Sequence, residues 1–170
     1  MDLVRRARAG DPEAFVELME HHKVDLYKVA RSYLHSDADA ADAMQEAVLT
    51  CFEKLPQLRN PTQFKTWLTR ILINKCNDRL REQRRVQSVE RVPERACEDQ
   101  GRAELEFLDF LEGLDEKYRV VLLLYYGEGF RVREIAALLA LNEETVKTRL
   151  KRGRAGVKAM YERGMRDERA

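Results

Sequence analysis

Apolar residues recur every three or four positions along most of the chain, a spacing that predicts amphipathic α-helices. Asp11 and Pro12 are typical of a helix start, since an N-cap acid precedes a first-turn proline. Another helix is predicted from Ser36 or Asp37 to just before Pro56. Its apolar stripe comprises Ala40, Met44, Ala47, Val48, Cys51 and Leu55. The N-terminal half is therefore predicted to be a helical bundle.

A further helix follows, because Asn60 and Pro61 again place an N-cap before a first-turn proline. Its apolar face comprises Phe64, Trp67, Leu68, Ile71 and Leu72. A stripe of cations and amides lies on the opposite side: Arg70, Asn74, Asn77, Arg81 and Arg84. This stripe is predicted to face solvent or phosphate.

Helical periodicity stops near Arg85 and returns near Leu105, and Pro93 and Gly101 interrupt the charged stretch between them. We therefore predict a flexible linker over residues 86–103. It joins two small helical domains, 1–85 and 104–170. No strand pattern or repeat occurs, so the predicted fold class is all-α.

The C-terminal segment predicts a helix-turn-helix within a four-helix domain. A short helix over Val132–Leu139 has Ile135, Ala136 and Leu139 on its apolar face. Asn142 is placed to cap a second helix over residues 143–158. Its inward positions are Val146, Leu150, Gly153 and Val157, and Glu144, Thr148 and Lys151 point outward. An ordinary helical hairpin is the structural alternative.

Charge is segregated although the formal net charge is only +1. Basic segments, 65–91 and 131–158, alternate with acidic segments, 1–64 and 92–130. Clustered cations neutralise phosphates, so the pattern favours two separate nucleic-acid contacts. Solvated helix faces are the alternative reading of either block.

Other chemistries lack a pattern in the sequence. Cys51, Cys76 and Cys97 are odd in number and widely spaced, which favours neither a disulfide framework nor a zinc site. Cys51 and Cys76 are expected to be buried, inert thiols. The three histidines add no ligand pattern, and there is no P-loop or nucleophile motif. We expect no metal, cofactor, small-molecule substrate or enzymatic activity.

Location follows from similar arguments. No apolar run approaches the length of a membrane span, and the N-terminus lacks the apolar core of a signal peptide. We therefore expect a cytoplasmic protein that does not span a membrane.

The helix-turn-helix run at 134–154 resembles the promoter-reading module of extracytoplasmic-function sigma factors. Residues 37–47 resemble the polymerase-binding helix of that family, and 64–74 with Asp78 and Arg81 resemble its −10-element helix. Residues 10–15 are similar to the family's opening turn. Ala140 and Glu144 differ from glycines common in the family, and Cys76 replaces a small apolar residue. Ala140 predicts a left-handed turn strained by about 1 kcal/mol.

The resemblance implies a two-domain factor that binds core RNA polymerase and promoter DNA and aids strand opening. It implies core-polymerase contacts for Asp39, Asp42, Gln45 and Glu46. It implies −10 contacts for Arg59, Asn60, Thr62, Gln63, Lys65, Arg70, Asn74 and Arg81. It implies −35 contacts for Glu144, Thr145, Lys147, Thr148, Arg149, Lys151, Arg152 and Arg154. An anti-sigma protein is a further implied partner.

Two other functional classes compete with this interpretation. A helix-turn-helix regulator would bind DNA without polymerase and would need a sensing or dimerising N-terminal half. A small all-helical enzyme would need a metal or acid/base constellation, for which no pattern exists. Trp67 also fits two roles, since it lies on an apolar face yet has a ring that stacks bases. The promoter sequence and the inducing signal are not encoded in a readable form.

Overall fold

The computed structural model describes residues 2–86 and 102–167. All regular elements in these two ranges are helical, which confirms the predicted fold class. The chain divides into two compact units, Met1–Glu98 and Asp99–Ala170. The greater part of the predicted linker, together with Cys97, lies outside the described residues. The domain limits at 85/86 and 103/104 thus stay predictions.

The N-terminal unit is a helical bundle, as predicted. Its helices are α1 (Asp2–Arg8), α2 (Pro12–Tyr33), α3 (Asp37–Lys54) and α4 (Phe64–Val86), with 3₁₀ turns at Leu55–Gln57 and Pro61–Gln63. The start of α2 matches the sequence signal, because the Ala14 amide donates to the Asp11 carboxylate at 3.0 Å. That hydrogen bond and the neighbouring Arg6 lower the pKa of Asp11. The sequence pattern did not predict α1.

Small side chains let α3 pack closely between α2 and α4. Ala40, Ala43, Ala47 and Cys51 on α3 are fully buried. Larger apolar residues from the neighbouring helices fill the space around them: Leu18, Leu26, Val29, Leu68, Leu72 and Ile73. One face of α3 is thus buried in the core. Its opposite face is presented to solvent.

The C-terminal unit is the predicted four-helix domain. Its helices are α5 (Arg102–Leu111), α6 (Glu116–Leu122), α7 (Val132–Leu139) and α8 (Glu143–Asp167), and a π-helical turn, Leu123–Gly127, extends α6. Helix α8 is longer than predicted: it continues past Lys158 and through Gly164 to Asp167, and Lys158 pairs with Glu162 one turn later at 3.9 Å.

The centre of this unit is an apolar run, residues 120–124, that is buried on every side. Gly153 of α8 lies against it, and a Cβ at that position would come within 3.0 Å of the Leu122 side chain. Val146 and Leu150, two of the predicted inward positions of α8, are buried. On α7, Ile135 and Ala136 are buried as predicted. Leu138 is buried as well, whereas the predicted Leu139 is half-buried.

The turn between α7 and α8 has the left-handed geometry expected from the sequence. Ala140 has φ 53° and ψ 44°, the one positive φ among the described non-glycine residues. The Leu141 amide donates to the Ala136 carbonyl at 2.9 Å, which closes the turn. A Cβ in this region costs conformational energy, and the helix-turn-helix carries that cost.

Replacing Ala140 by glycine should therefore stabilise the C-terminal unit by about 0.5–1 kcal/mol, since relief of the left-handed strain exceeds the entropy that glycine adds to the unfolded chain. Urea denaturation of the full chain measures the change. Ala137→Gly is the matched control, because Ala137 is exposed within α7 and glycine there should destabilise by about 1 kcal/mol. Destabilisation by both substitutions would contradict the strained turn.

Candidate functional site

The predicted polymerase-binding residues lie along the solvent side of α3. Asp42, Gln45 and Glu46 are exposed, and Asp39 is half-buried one turn earlier. The carboxylates of Asp42 and Glu46 keep 55% and 47% of their side-chain surface accessible. These four residues therefore form one accessible polar stripe.

Three of these residues also pair with a cation that sequence analysis did not connect to them. The Arg79 guanidinium of α4 places Nη2 at 3.1 Å from Asp42 and 3.2 Å from Glu46. Its Nη1 lies 3.5 Å from Asp39. The acidic stripe is thus partly neutralised from within the unit, which helix periodicity alone does not reveal.

Two more α4 side chains continue this contact. Lys75 Nζ lies 3.7 Å from the second oxygen of Glu46. The Gln83 amide donates to Asp39 at 2.7 Å. Lys75, Arg79 and Gln83 are spaced by four residues, so they share a face of α4 that differs from the predicted DNA-facing stripe. Helix α4 therefore presents a polar seam to α3.

Two exposed apolar residues extend the α3 stripe beyond its acids. Leu49 and Phe52 are 64% and 60% exposed and follow Gln45 and Glu46 at helical spacing. The Phe52 ring also meets Phe15 of α2 edge-on, with 5.1 Å between centroids. Sequence analysis missed both residues, although continuing the polar stripe by steps of three would have reached them. Exposed apolar side chains next to charged ones are typical of a protein-binding surface.

The loop predicted to read the −10 element, residues 59–63, follows the first 3₁₀ turn and includes the second. The Asn60 side-chain oxygen accepts from the Thr62 amide at 3.0 Å and from its hydroxyl at 2.8 Å. Asn60 is therefore a capping residue in this structure. Arg8 of α1 donates to the Leu58 carbonyl at 3.0 Å and anchors the loop. Gln63 is exposed.

The predicted −10 residues share accessibility to solvent. Exposed members are Arg59, Asn60, Thr62, Gln63, Arg70, Asn74 and Arg81, and Lys65 is half-buried. Lys65 lies 3.4 Å from Asp25, and Arg81 lies 3.3 Å from Asp78. Burial opposes ionisation of Asp25, but Lys28 and Lys65 outweigh it and lower the pKa of that carboxyl.

Trp67 lies half-buried beside this surface, with its ring 6.0 Å from that of Phe64. The His22 ring lies 5.3 Å from that of Phe64, and burial lowers the pKa of the imidazole. The indole is therefore neither wholly core nor fully presented to solvent, and its two predicted roles stay open.

The recognition helix α8 has the predicted cap and outward face. The Thr145 amide donates to the Asn142 side chain at 2.7 Å. The exposed predicted residues are Glu144, Lys147, Thr148, Lys151, Arg152 and Arg154, whereas Thr145 and Arg149 are half-buried. Glu144 accepts a 2.6 Å hydrogen bond from Lys147, which raises the pKa of that lysine. These two predicted contacts are thus paired with each other.

Two residues of α6 join this surface and were missed by sequence analysis. Lys117 and Tyr118 line one wall of an open groove whose other wall is the recognition helix. The helix supplies Glu144, Thr145, Thr148, Arg149 and Arg152. Arg154 lies further along and donates to the Tyr126 hydroxyl at 3.1 Å. The groove assembles cations and hydroxyls that suit a phosphate backbone.

The cysteines and the side chains that could bind a metal form no competing site within residues 2–86 and 102–167. Cys51 and Cys76 are fully buried, as predicted. Burial raises the pKa of the Cys51 thiol to about 12, so it stays protonated near neutral pH. No group of three or more His, Cys, Asp or Glu side chains in the described ranges could hold a metal ion. None of the described helices is long and apolar enough to cross a membrane.

Comparison with known families covers both units. Residues 18–86 match the family model of sigma-70 region 2. Residues 104–155 match that of sigma-70 region 4. The first range contains the α3 stripe and the −10 loop, and the second contains the helix-turn-helix. Both halves of the predicted architecture thus have a family counterpart.

Individual relatives agree with this result. RNA polymerase sigma factor SigV of Bacillus subtilis is 31% identical over 140 residues, which is 81% of this chain and 84% of that protein. ECF RNA polymerase sigma factor SigM of Mycobacterium tuberculosis is 30% identical over 86% of this chain and 76% of its own. These similarities favour a sigma factor over a polymerase-independent regulator.

Solved structures share the fold. The structure of CnrH in complex with the cytosolic domain of CnrY matches with a TM-score of 0.68 and 30% identity, covering 94% of this chain and 95% of that one. The sigma factor RpoE of Bartonella quintana, solved with the anti-sigma factor NepR, has the same fold with a TM-score of 0.72 and 22% identity over 87% of this chain and 96% of its own. This chain therefore belongs to the extracytoplasmic-function sigma factors of the sigma-70 family, which direct RNA polymerase to promoters.

Proposed function

We propose that this sigma factor binds core RNA polymerase through the exposed face of α3. The observation that supports this most strongly is the continuous stripe from Asp42 to Phe52, with charge at one end and two exposed apolar side chains at the other. Apolar anchors beside charged residues combine affinity with orientation. A basic, amphipathic surface on the polymerase is the complementary partner.

We propose that the N-terminal unit also reads the −10 element. Gln63 is exposed at the end of a loop that Arg8 and the Asn60 cap hold in place. A rigid loop with a free amide suits an unstacked base edge. The exposed Arg70 and Asn74 of α4 contact the strand backbone in this proposal.

We propose that α8 reads the −35 element in the major groove. Thr148 and Lys151 lie at its exposed crest, whereas Arg149 lies half-buried against the groove formed with α6. The crest residues reach base edges, and Arg149 with Lys117 contacts phosphates. The capped, tightly packed start of α8 fixes this register.

We further propose an anti-sigma protein as a regulatory partner and the cytoplasm as the site of action. CnrH, whose structure matches over nearly the whole chain, was solved with the cytosolic domain of CnrY. Sigma factors as a family act by binding, and we propose that this member likewise has no catalytic activity of its own. Strand opening then draws on binding energy.

A positive charge introduced at Gln45 tests the core-binding face. Gln45→Lys should weaken binding to core RNA polymerase about ten-fold, because it places a cation opposite a basic partner. Gln45 is the sharpest probe, since it is exposed and lies outside the Arg79 pairs. The measurement is a binding titration with purified core enzyme. Lys23→Gln on α2 is a control, and equal binding by both variants would place the interface elsewhere.

Comparison of two loop amides tests −10 reading. Gln63→Ala should reduce open-complex formation, measured by permanganate footprinting, with little effect on closed-complex binding or stability. Asn60→Ala should instead lower thermal stability by about 1 kcal/mol, because it removes the cap. A matching loss of stability in Gln63→Ala would assign both amides to structure alone.

Alanine substitutions on α8 test the −35 assignment across a randomised promoter library at two salt concentrations. Arg149→Ala should weaken holoenzyme binding to all sequences alike and reduce the salt slope by about 0.9. Lys151→Ala should change the preferred −35 sequence, at about 1–3 kcal/mol per base pair read. The reverse pattern would mean that the helix docks in a rotated orientation.

A further inference from the structure

The ion pairs between α3 and α4 form what we call the acidic seam: Asp39, Asp42 and Glu46 of α3 with Lys75 and Arg79 of α4. Three carboxylates here face two cations. The same carboxylates lie on the proposed core-binding face. The seam thus joins that face to the helix proposed to read the −10 element.

Within the seam, cations of α4 lie close to the carboxylate oxygens of α3. Arg79 Nη2 is shared between Asp42 and Glu46, at 3.1 and 3.2 Å. Lys75 lies 3.7 Å from the remaining oxygen of Glu46. Both oxygens of Glu46 therefore face cations of the same chain. A basic residue of a partner protein would have to share or displace them.

Arg79 is bound to the seam and to little else. Its side chain is 23% exposed, and its buried Nε makes no hydrogen bond to any residue that the structure describes. The guanidinium is thus held through its terminal nitrogens by the α3 carboxylates. On the α3 side, however, the Asp42 and Glu46 side chains keep 55% and 47% of their surface exposed. Ion pairs that solvent reaches contribute only modestly to stability, so a competing cation can replace them.

We propose that Arg79, assisted by Lys75, is an internal competitor that lowers the affinity of α3 for core RNA polymerase. In the free protein the two cations of the seam, Lys75 and Arg79, offset two of the three negative charges that would attract a basic polymerase surface. Binding then exchanges internal cations for those of the polymerase. This inference rests on the proposed core-binding role of α3 and describes how that surface is regulated.

The test is a binding titration of the full chain with core RNA polymerase at low and high salt. Arg79→Gln should bind about three-fold tighter at low salt, because it exposes the carboxylate charge. The gain should disappear at high salt, since these charges are screened by ions. Arg79→Lys, which keeps the charge, should stay near wild type.

A matched control separates the seam from net charge. Lys23→Gln removes the same charge from α2, where Lys23 pairs with Glu20 at 3.6 Å, and should leave binding unchanged. In an Asp42→Asn background, Arg79→Gln should give a smaller gain, since one of the competed acids is already neutral. Unchanged or weaker binding by folded Arg79→Gln would overturn the proposal and make Arg79 a positioning residue.

Two further variants distinguish failure of the internal competition from failure of the proposed α3 interface. If circular dichroism shows that Arg79→Gln does not fold, Lys75→Gln takes its place, with tighter binding supporting competition and unchanged or weaker binding overturning it. If Gln45→Lys fails to weaken binding, the α3 face is not the interface and both proposals fall. If Gln45→Lys weakens binding while Arg79→Gln does not strengthen it, only the internal competition is wrong.

Discussion

The 3.6-residue helical repeat is the constraint on which each functional surface of this protein depends. Helix α4 has three faces with different roles. One is apolar and packs in the core, one is polar and contacts α3, and one is exposed and carries cations and amides. Each face is formed by residues spaced by three or four, so the three faces use different positions of the helix. Because the apolar face is fixed by the core, the other two point in fixed directions. Packing of apolar residues thereby orients the polar chemistry.

The C-terminal unit applies the same constraint with a different solution. Its central run, 120–124, is buried all round, and α8 lies close to it because Gly153 has no side chain. Close packing there fixes the rotation of α8, while the Asn142 cap fixes where that helix begins. The left-handed Ala140 joins α7 to α8 at an energetic cost. Position and rotation of the recognition face therefore follow from a glycine, a cap and a strained turn.

The acidic seam changes how the α3 surface is understood. From the sequence alone, the acidic stripe predicts unpaired carboxylates that are available to a basic partner. In the folded unit, Arg79 already neutralises part of that charge, and the exposed Leu49 and Phe52 supply apolar area next to it. Apolar area contributes affinity, whereas exposed charge chiefly contributes orientation and association rate. The combination favours a surface whose attraction to polymerase is moderated from within the protein.

Apart from α1, sequence patterns predicted the helices, the caps and the left-handed turn, because these depend on residues within a few positions of one another. The Asp11 and Asn142 caps and the burial of Val146 are examples. Local patterns predicted the length of α8 less well, since its last turns mix apolar side chains such as Met160 and Tyr161 with charged ones and Gly164, and no clear signal marks the helix end. The missed Leu49 and Phe52 were within reach of periodicity, because they continue the stripe of α3.

The sequence by itself therefore determined the all-α class, the family and most of the exposed polar faces, because all three depend on local spacing. Tertiary structure alone decided which polar groups meet. Arg79 reaches Glu46 across 33 positions of sequence, and Lys117 meets the recognition helix across a similar gap. Such pairings depend on the crossing of packed helices, and helix periodicity carries no information about that crossing.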